Sequence, residues 1–116
     1  MPTRYFASIV SKADREAVVR AAPAALVLYS APDCQLCRAL EPKLSAALET
    51  EFPRLERYSI DCRRYPELAA QEGVFSVPTL VLYLEGREWW RQVRPLSVSL
   101  LIEAIRRPYQ MTLASE

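Results

Sequence analysis

Apolar positions along this chain change period several times, and each change marks an element. Tyr5 to Val10 is a short β-type stretch, and Ser11-Lys12-Ala13-Asp14 then resembles a capping box, with Asp where Glu or Gln is preferred. Ala13 to Ala21 is good helix material that Pro23 ends. Ala24 to Ser30 is a near-continuous apolar run, as expected of a central strand covered on both faces. Ala31-Pro32-Asp33 is a loop, with Asp33 suited to cap the next helix. From Cys34 to about Thr50 the leucines at 36, 40, 44 and 48 recur every four residues along one stripe, interrupted by a kinking Pro42.

The second half alternates faster. Leu55 to Ile60 reads as a strand, Pro66 to Glu72 as a short helix and Gly73 as its C′ residue. Thr79 to Leu84 and Arg87 to Val93 flank Glu85-Gly86, which predicts a hairpin. Ser97 caps a last helix reaching Arg106 or Arg107, and Pro108 stops it. The order is βαβαβαββα: an α/β domain with a mixed central sheet and helices on both faces. Residues 1–108 form the expected domain and 109–116 a C-terminal tail.

Composition narrows the chemistry. The 116 residues carry 15 Lys plus Arg against 14 Asp plus Glu, a balance that gives no support for a nucleic-acid or acidic-membrane partner. No stretch approaches the roughly 18 to 20 apolar residues of a membrane helix. The charges from Lys12 to Glu16 argue against a secretory leader, so a cytoplasmic protein is expected. The chain has no histidine, which excludes Ser-His-Asp and Cys-His catalysis and His-containing zinc sites. Three cysteines allow at most one internal disulfide.

Cys34-Gln35-Leu36-Cys37 is the most informative string. Spacing of i, i+3 on a helix puts both cysteines on one face, close enough for a modest adjustment to close a disulfide. With Cys34 at the first helical position, free backbone N–H groups and the helix dipole favour its thiolate, the attacking species. Cys37, one turn deeper, is better placed to resolve a mixed disulfide.

This segment resembles the active site of the thioredoxin superfamily. Pro42 matches that family's helix-kinking proline, Ser59-Ile60-Asp61 is similar to its third-strand motif, and Ser76-Val77-Pro78-Thr79 to its cis-proline loop. With the Glu85-Gly86 hairpin, the resemblance covers roughly residues 4 to 107. It implies a thioredoxin fold and a thiol–disulfide oxidoreductase acting on protein substrates. Cys34 and Cys37 would be catalytic, and Val77 and Pro78 would hold an extended substrate chain as an added strand would. No dissociable cofactor is implied, since the Cys34–Cys37 pair is itself the redox group. The implied partners are a protein thiol or disulfide substrate and a reductase or other dithiol electron donor, with the protein itself a monomer. The alternative is a binding or co-chaperone module of the same fold with little turnover.

Departures from the family pattern carry their own expectations. Asp33 replaces the usual tryptophan before the first cysteine, Leu28 the usual buried carboxylate, and Arg94 the usual glycine in the loop facing the active site. Asp33 should raise the Cys34 pKa, while Arg38 and the helix terminus should lower it. Asp33 and Arg94 are expected to flank the groove and select a charged partner. Cys62 has three readings: a passive, partly buried thiol, a regulatory thiol helped by Arg63 and Arg64, or a third ligand in a metal or cluster site. Trp89 and Trp90 should point to opposite sides of a strand. Arg87, Arg91, Arg94, Arg106 and Arg107 are expected to form a solvated basic rim.

Overall fold

The computed structural model describes residues 6–94 and 97–114. The elements are β1 (Ala7–Ser8), α1 (Lys12–Ala21), β2 (Ala24–Ser30), α2 (Gln35–Glu51), β3 (Glu56–Asp61), α3 (Pro66–Gln71), β4 (Thr79–Leu84), β5 (Arg87–Val93) and α4 (Val98–Tyr109). Their order is the expected βαβαβαββα. One sheet runs β1-β3-β2-β4-β5, with β1, β3 and β2 parallel and β4 and β5 antiparallel.

The apolar run of β2 is explained by its central place, because a strand covered on both faces needs apolar side chains on both. Ala24, Leu26 and Leu28 face a cluster built with Leu40, Leu44 and Leu48 of α2 and Leu101 and Ile105 of α4. Val27 and Tyr29 face the opposite cluster, with Val19 of α1 and Leu68 of α3. On α2 the helix continues through Pro42. An interior proline costs about 3 kcal/mol. Beyond it Leu44 and Leu48 are fully buried, each stabilising by about 1.5–3 kcal/mol, which offsets that cost.

Local signals set the element ends. Ser11 Oγ accepts from the Asp14 N–H at 3.0 Å, while the Asp14 carboxylate reaches back to the Val10 N–H at 3.2 Å. Gly73 follows α3 with φ +67°, and Glu85 and Gly86 have φ of +51° and +84°. Two successive positive φ values are what a two-residue type I′ hairpin requires. A bulge in the β4–β5 ladder pairs Leu82 with Trp90 but Tyr83 with Glu88, leaving Trp89 as the extra residue. Trp90 therefore packs against the core and Trp89 stands exposed.

Two arginines are unexpectedly buried. The Arg15 guanidinium donates to Leu68 O at 2.6 Å and Gln71 Oε1 at 3.0 Å, tying α1 to the end of α3. Arg57 on β3 donates to Ser45 O at 2.9 Å and pairs with Glu49, anchoring α2 to the sheet. The basic rim also needs correction. Arg91 is bidentate to Glu88 at 2.7 and 2.8 Å and bonds the Glu72 carbonyl, while Arg106 pairs with Glu51.

The last helix does not stop at Pro108. Pro108 is buried inside α4, which runs to Tyr109 and passes into a π-helical turn, Gln110–Ala114. The Tyr109 ring lies 4.7 Å from that of Phe52, and Leu113 is buried with its carbonyl accepting from Arg54 Nη1 at 2.7 Å. Burial of these two side chains outweighs the hydrogen bond Pro108 cannot make.

Candidate active site

The parallel strands β2 and β3 end side by side, with Ser30 opposite Asp61 and the Cys62 N–H donating to Ser30 O at 2.8 Å. β4 enters antiparallel with Thr79 opposite Tyr29, and β5 leaves with Val93 opposite Thr79. Four connections therefore meet at one sheet edge: Ala31–Cys34, Cys62–Tyr65, Ser76–Pro78 and Arg94. The C-terminal edge of parallel strands is where α/β folds gather reactive groups.

Cys34 and Cys37 form a disulfide with their Cα atoms 5.3 Å apart. Cys34 is half-buried and Cys37 only 2% exposed, so the first sulfur is the one reachable from solvent. Helix α2 begins one residue later than expected: Cys34, not Asp33, is its N-cap, and Sγ of Cys34 accepts from the Cys37 N–H at 3.1 Å. The reason lies with Asp33, whose carboxylate is engaged elsewhere, 2.7 Å from Nη2 of Arg63. An amide N–H aimed at Sγ is an arrangement that stabilises a thiolate there once the disulfide is reduced.

Across the edge, the Val77–Pro78 peptide is cis and Pro78 is buried. Thr79 Oγ1 donates to Ser76 O at 2.8 Å, and the Arg94 N–H to Pro78 O at 2.7 Å. Arg94 adopts φ +51°, a left-handed conformation, with its side chain exposed. Phe75, next to this loop, is 86% exposed. A cleft of about 260 Å³ lies beside it, lined by Cys62, Pro66, Ala70, Phe75, Ser76 and Val77.

Cys62 is half-buried, and burial together with neighbouring Asp61 pushes its thiol up to about 11. Arg63 is paired with Asp33, and Arg64 lies over the Tyr65 ring at 5.5 Å. The passive-thiol reading is the one this setting favours. Among the described residues, no group of three or more His, Cys, Asp or Glu side chains could hold a metal ion. No described helix is long and apolar enough to cross a membrane.

The Thioredoxin family model matches residues 6–107. The chain belongs to the thioredoxin family. It is 31% identical over 85 residues to the thioredoxin-like protein YdfQ of Bacillus subtilis, covering 73% of this chain and 75% of that one. It is 35% identical over 82 residues to the thioredoxin of Chlamydia muridarum, covering 71% and 79%. The thioredoxin of Malassezia sympodialis superposes with a TM-score of 0.81 at 20% identity over 94% of this chain and 96% of its own. At the general level, membership and the bonded Cys34–Cys37 pair make this thioredoxin-fold chain a thiol–disulfide oxidoreductase.

Within that thioredoxin frame, Leu28 is fully buried in the apolar cluster below α2, so no carboxylate lies on that strand position. The structure brings Cys34, Cys37 and Asp33 together at the start of α2, and Arg94 against the Val77–Pro78 loop. Three residues of this edge were not singled out from sequence. By local pattern Arg63 is only a cation beside Cys62, since its partner Asp33 is distant in sequence. Phe75 had a signal, since it immediately precedes the Ser76-Val77-Pro78 motif. Glu41 had a weaker one, its position four residues after Cys37.

Proposed function

We propose that this protein reduces disulfides in protein substrates, with Cys34 as attacking and Cys37 as resolving thiol. A substrate chain would lie along the Ser76–Pro78 loop, with Val77 pairing to its backbone and Phe75 meeting an apolar side chain. Asp33 and Arg94, one on each side of the groove, would favour a partner bearing charge. The cysteine pair is the whole redox group, recharged by a reductase or another dithiol donor. The protein would act as a monomer in the cytoplasm, where the poise favours reduction.

The observation that carries this reading is the asymmetric burial of the pair: a half-exposed Cys34 at a helix N-terminus and an almost fully buried Cys37 beneath it. Attack and resolution need those two accessibilities. Dithiothreitol-coupled insulin reduction tests it. Wild type should turn over, and Cys34→Ser should not. Equal or absent activity in both would leave a binding module.

A further inference from the structure

Resolution of a mixed disulfide requires Cys37 to lose a proton, and Cys37 has almost no contact with bulk solvent. The strand beneath it presents Leu28, and the chain contains no histidine. Cys37 does open into a cavity of about 300 Å³ between the start of α2 and the ends of β2 and β3. That volume accommodates several waters, and its lining is polar enough to hold them. The titratable and charged groups on the cavity wall besides Cys37 are Arg38, Glu41, Asp61, Arg64 and Tyr65.

Two of these are carboxylates, and they are not equivalent. Asp61 is committed to the turn after β3, its Oδ1 accepting from the Arg63 and Arg64 N–H groups at 3.0 and 3.1 Å. Glu41 is half-buried, and it stands four residues from Cys37 on α2, so both side chains lie on one helical face. Burial holds the Glu41 carboxyl above the ordinary carboxylate range, towards the thiol it would exchange with.

The geometry points to Glu41 as the group that takes and returns the Cys37 proton through this cavity. The inference rests on the oxidoreductase reading above. In the mixed disulfide, the Cys37 thiol passes its proton by way of cavity water to the Glu41 carboxylate. The Cys37 thiolate then attacks Cys34 Sγ, the Cys34–substrate S–S bond breaks, and its electron pair leaves on the substrate sulfur. That thiolate collects a proton, so the substrate disulfide has gained two electrons and two protons and the cysteine pair has lost them. In the reverse direction an external dithiol attacks Cys34, and protonated Glu41 neutralises the departing Cys37 thiolate.

Single-turnover reaction with the disulfide 5,5′-dithiobis(2-nitrobenzoate) separates the steps in a Cys62→Ser background. One thionitrobenzoate is released when Cys34 attacks and a second when Cys37 resolves. Glu41→Gln should leave the first phase within about twofold and slow the second on the order of 10²-fold near pH 7. The gap should close as rising pH ionises Cys37 unaided, and Glu41→Asp should restore part of the rate. An unchanged second phase in Glu41→Gln, equal slowing of both phases, or an equal effect from Asp61→Asn would overturn the assignment. The parent protein separates this from the wider reading: release of fewer than two equivalents there would reject oxidoreductase chemistry itself.

Discussion

Asp33 Oδ2 lies 2.7 Å from Arg63 Nη2, joining the residue before Cys34 to the turn that follows β3. The pair partly cancels a negative charge that would otherwise sit unopposed beside Cys34. It also removes Asp33 from the N-cap position, which the Cys34 sulfur occupies instead. Both side chains are more than half exposed, so the pair contributes at most about 1 kcal/mol.

Its electrostatic effect on Cys34 should be readable all the same. Arg63→Ala leaves Asp33 unopposed and should move the pH midpoint of Cys34 alkylation upward by less than about one unit. Asp33→Asn should move it downward, and high salt should shrink both shifts. Iodoacetamide rates of the reduced protein against pH provide the check. A midpoint that ignores both substitutions would show that the pair is electrostatically remote from the sulfur.

Arg94 should be replaceable with a gain in stability. Left-handed backbone costs an L-residue about 1–2 kcal/mol, and glycine's extra unfolded-state freedom offsets roughly half of that. Arg94→Gly should therefore raise unfolding free energy by about 0.5–1 kcal/mol in urea, with an unchanged slope. A loss of stability would mean that the guanidinium makes a contact stronger than the backbone strain.

Cys62 should behave as an unreactive thiol at neutral pH. With its pKa pushed up to about 11 from an ordinary 9.0, its thiolate at pH 8 should be about a hundredfold scarcer than that of a free cysteine. Alkylation should accelerate only towards that range. The sign for stability follows: the folded state holds this proton more tightly than the unfolded chain, so stability declines as pH rises from about 9 to about 11. Cys62→Ser should flatten that decline, and a decline that persists unchanged would place its source elsewhere.

Residues beyond Pro108 should be needed for full stability. Tyr109→Ala removes a buried ring packed on Phe52 and should cost about 3–5 kcal/mol. Tyr109→Phe loses only the 3.4 Å bond from the Arg54 N–H and should cost about 1 kcal/mol or less. A chain ending at Pro108 loses Leu113 as well and should unfold at a lower urea concentration than either variant.

What the sequence determined by itself was the period of each segment, and with it the element order. The six-residue apolar run of β2, the four-residue leucine stripe of α2 and the Glu85-Gly86 turn are local signals, so the βαβαβαββα order is legible in the sequence. So was the Cys34–Cys37 pair, because a short helical spacing brings both sulfurs together without help from the rest of the chain. The failures occurred where a local rule met a distant partner. Asp33 is a good N-cap in isolation, but Arg63, thirty positions away, holds its carboxylate. Pro108 ends helices in general, but the apolar cluster around Phe52 gains more from burying Tyr109 and Leu113 than the helix loses. Arg15 and Arg57 are ordinary surface residues by pattern, and only the packing of α3 and α2 against them supplies the carbonyls and carboxylates that let them be buried. The cavity joining Cys37 to Glu41 likewise exists only where the ends of β1, β2 and β3 meet the start of α2. Sequence pattern sets how each segment folds; competition among partners far apart in the chain settles which side chains meet and what charge each cysteine meets.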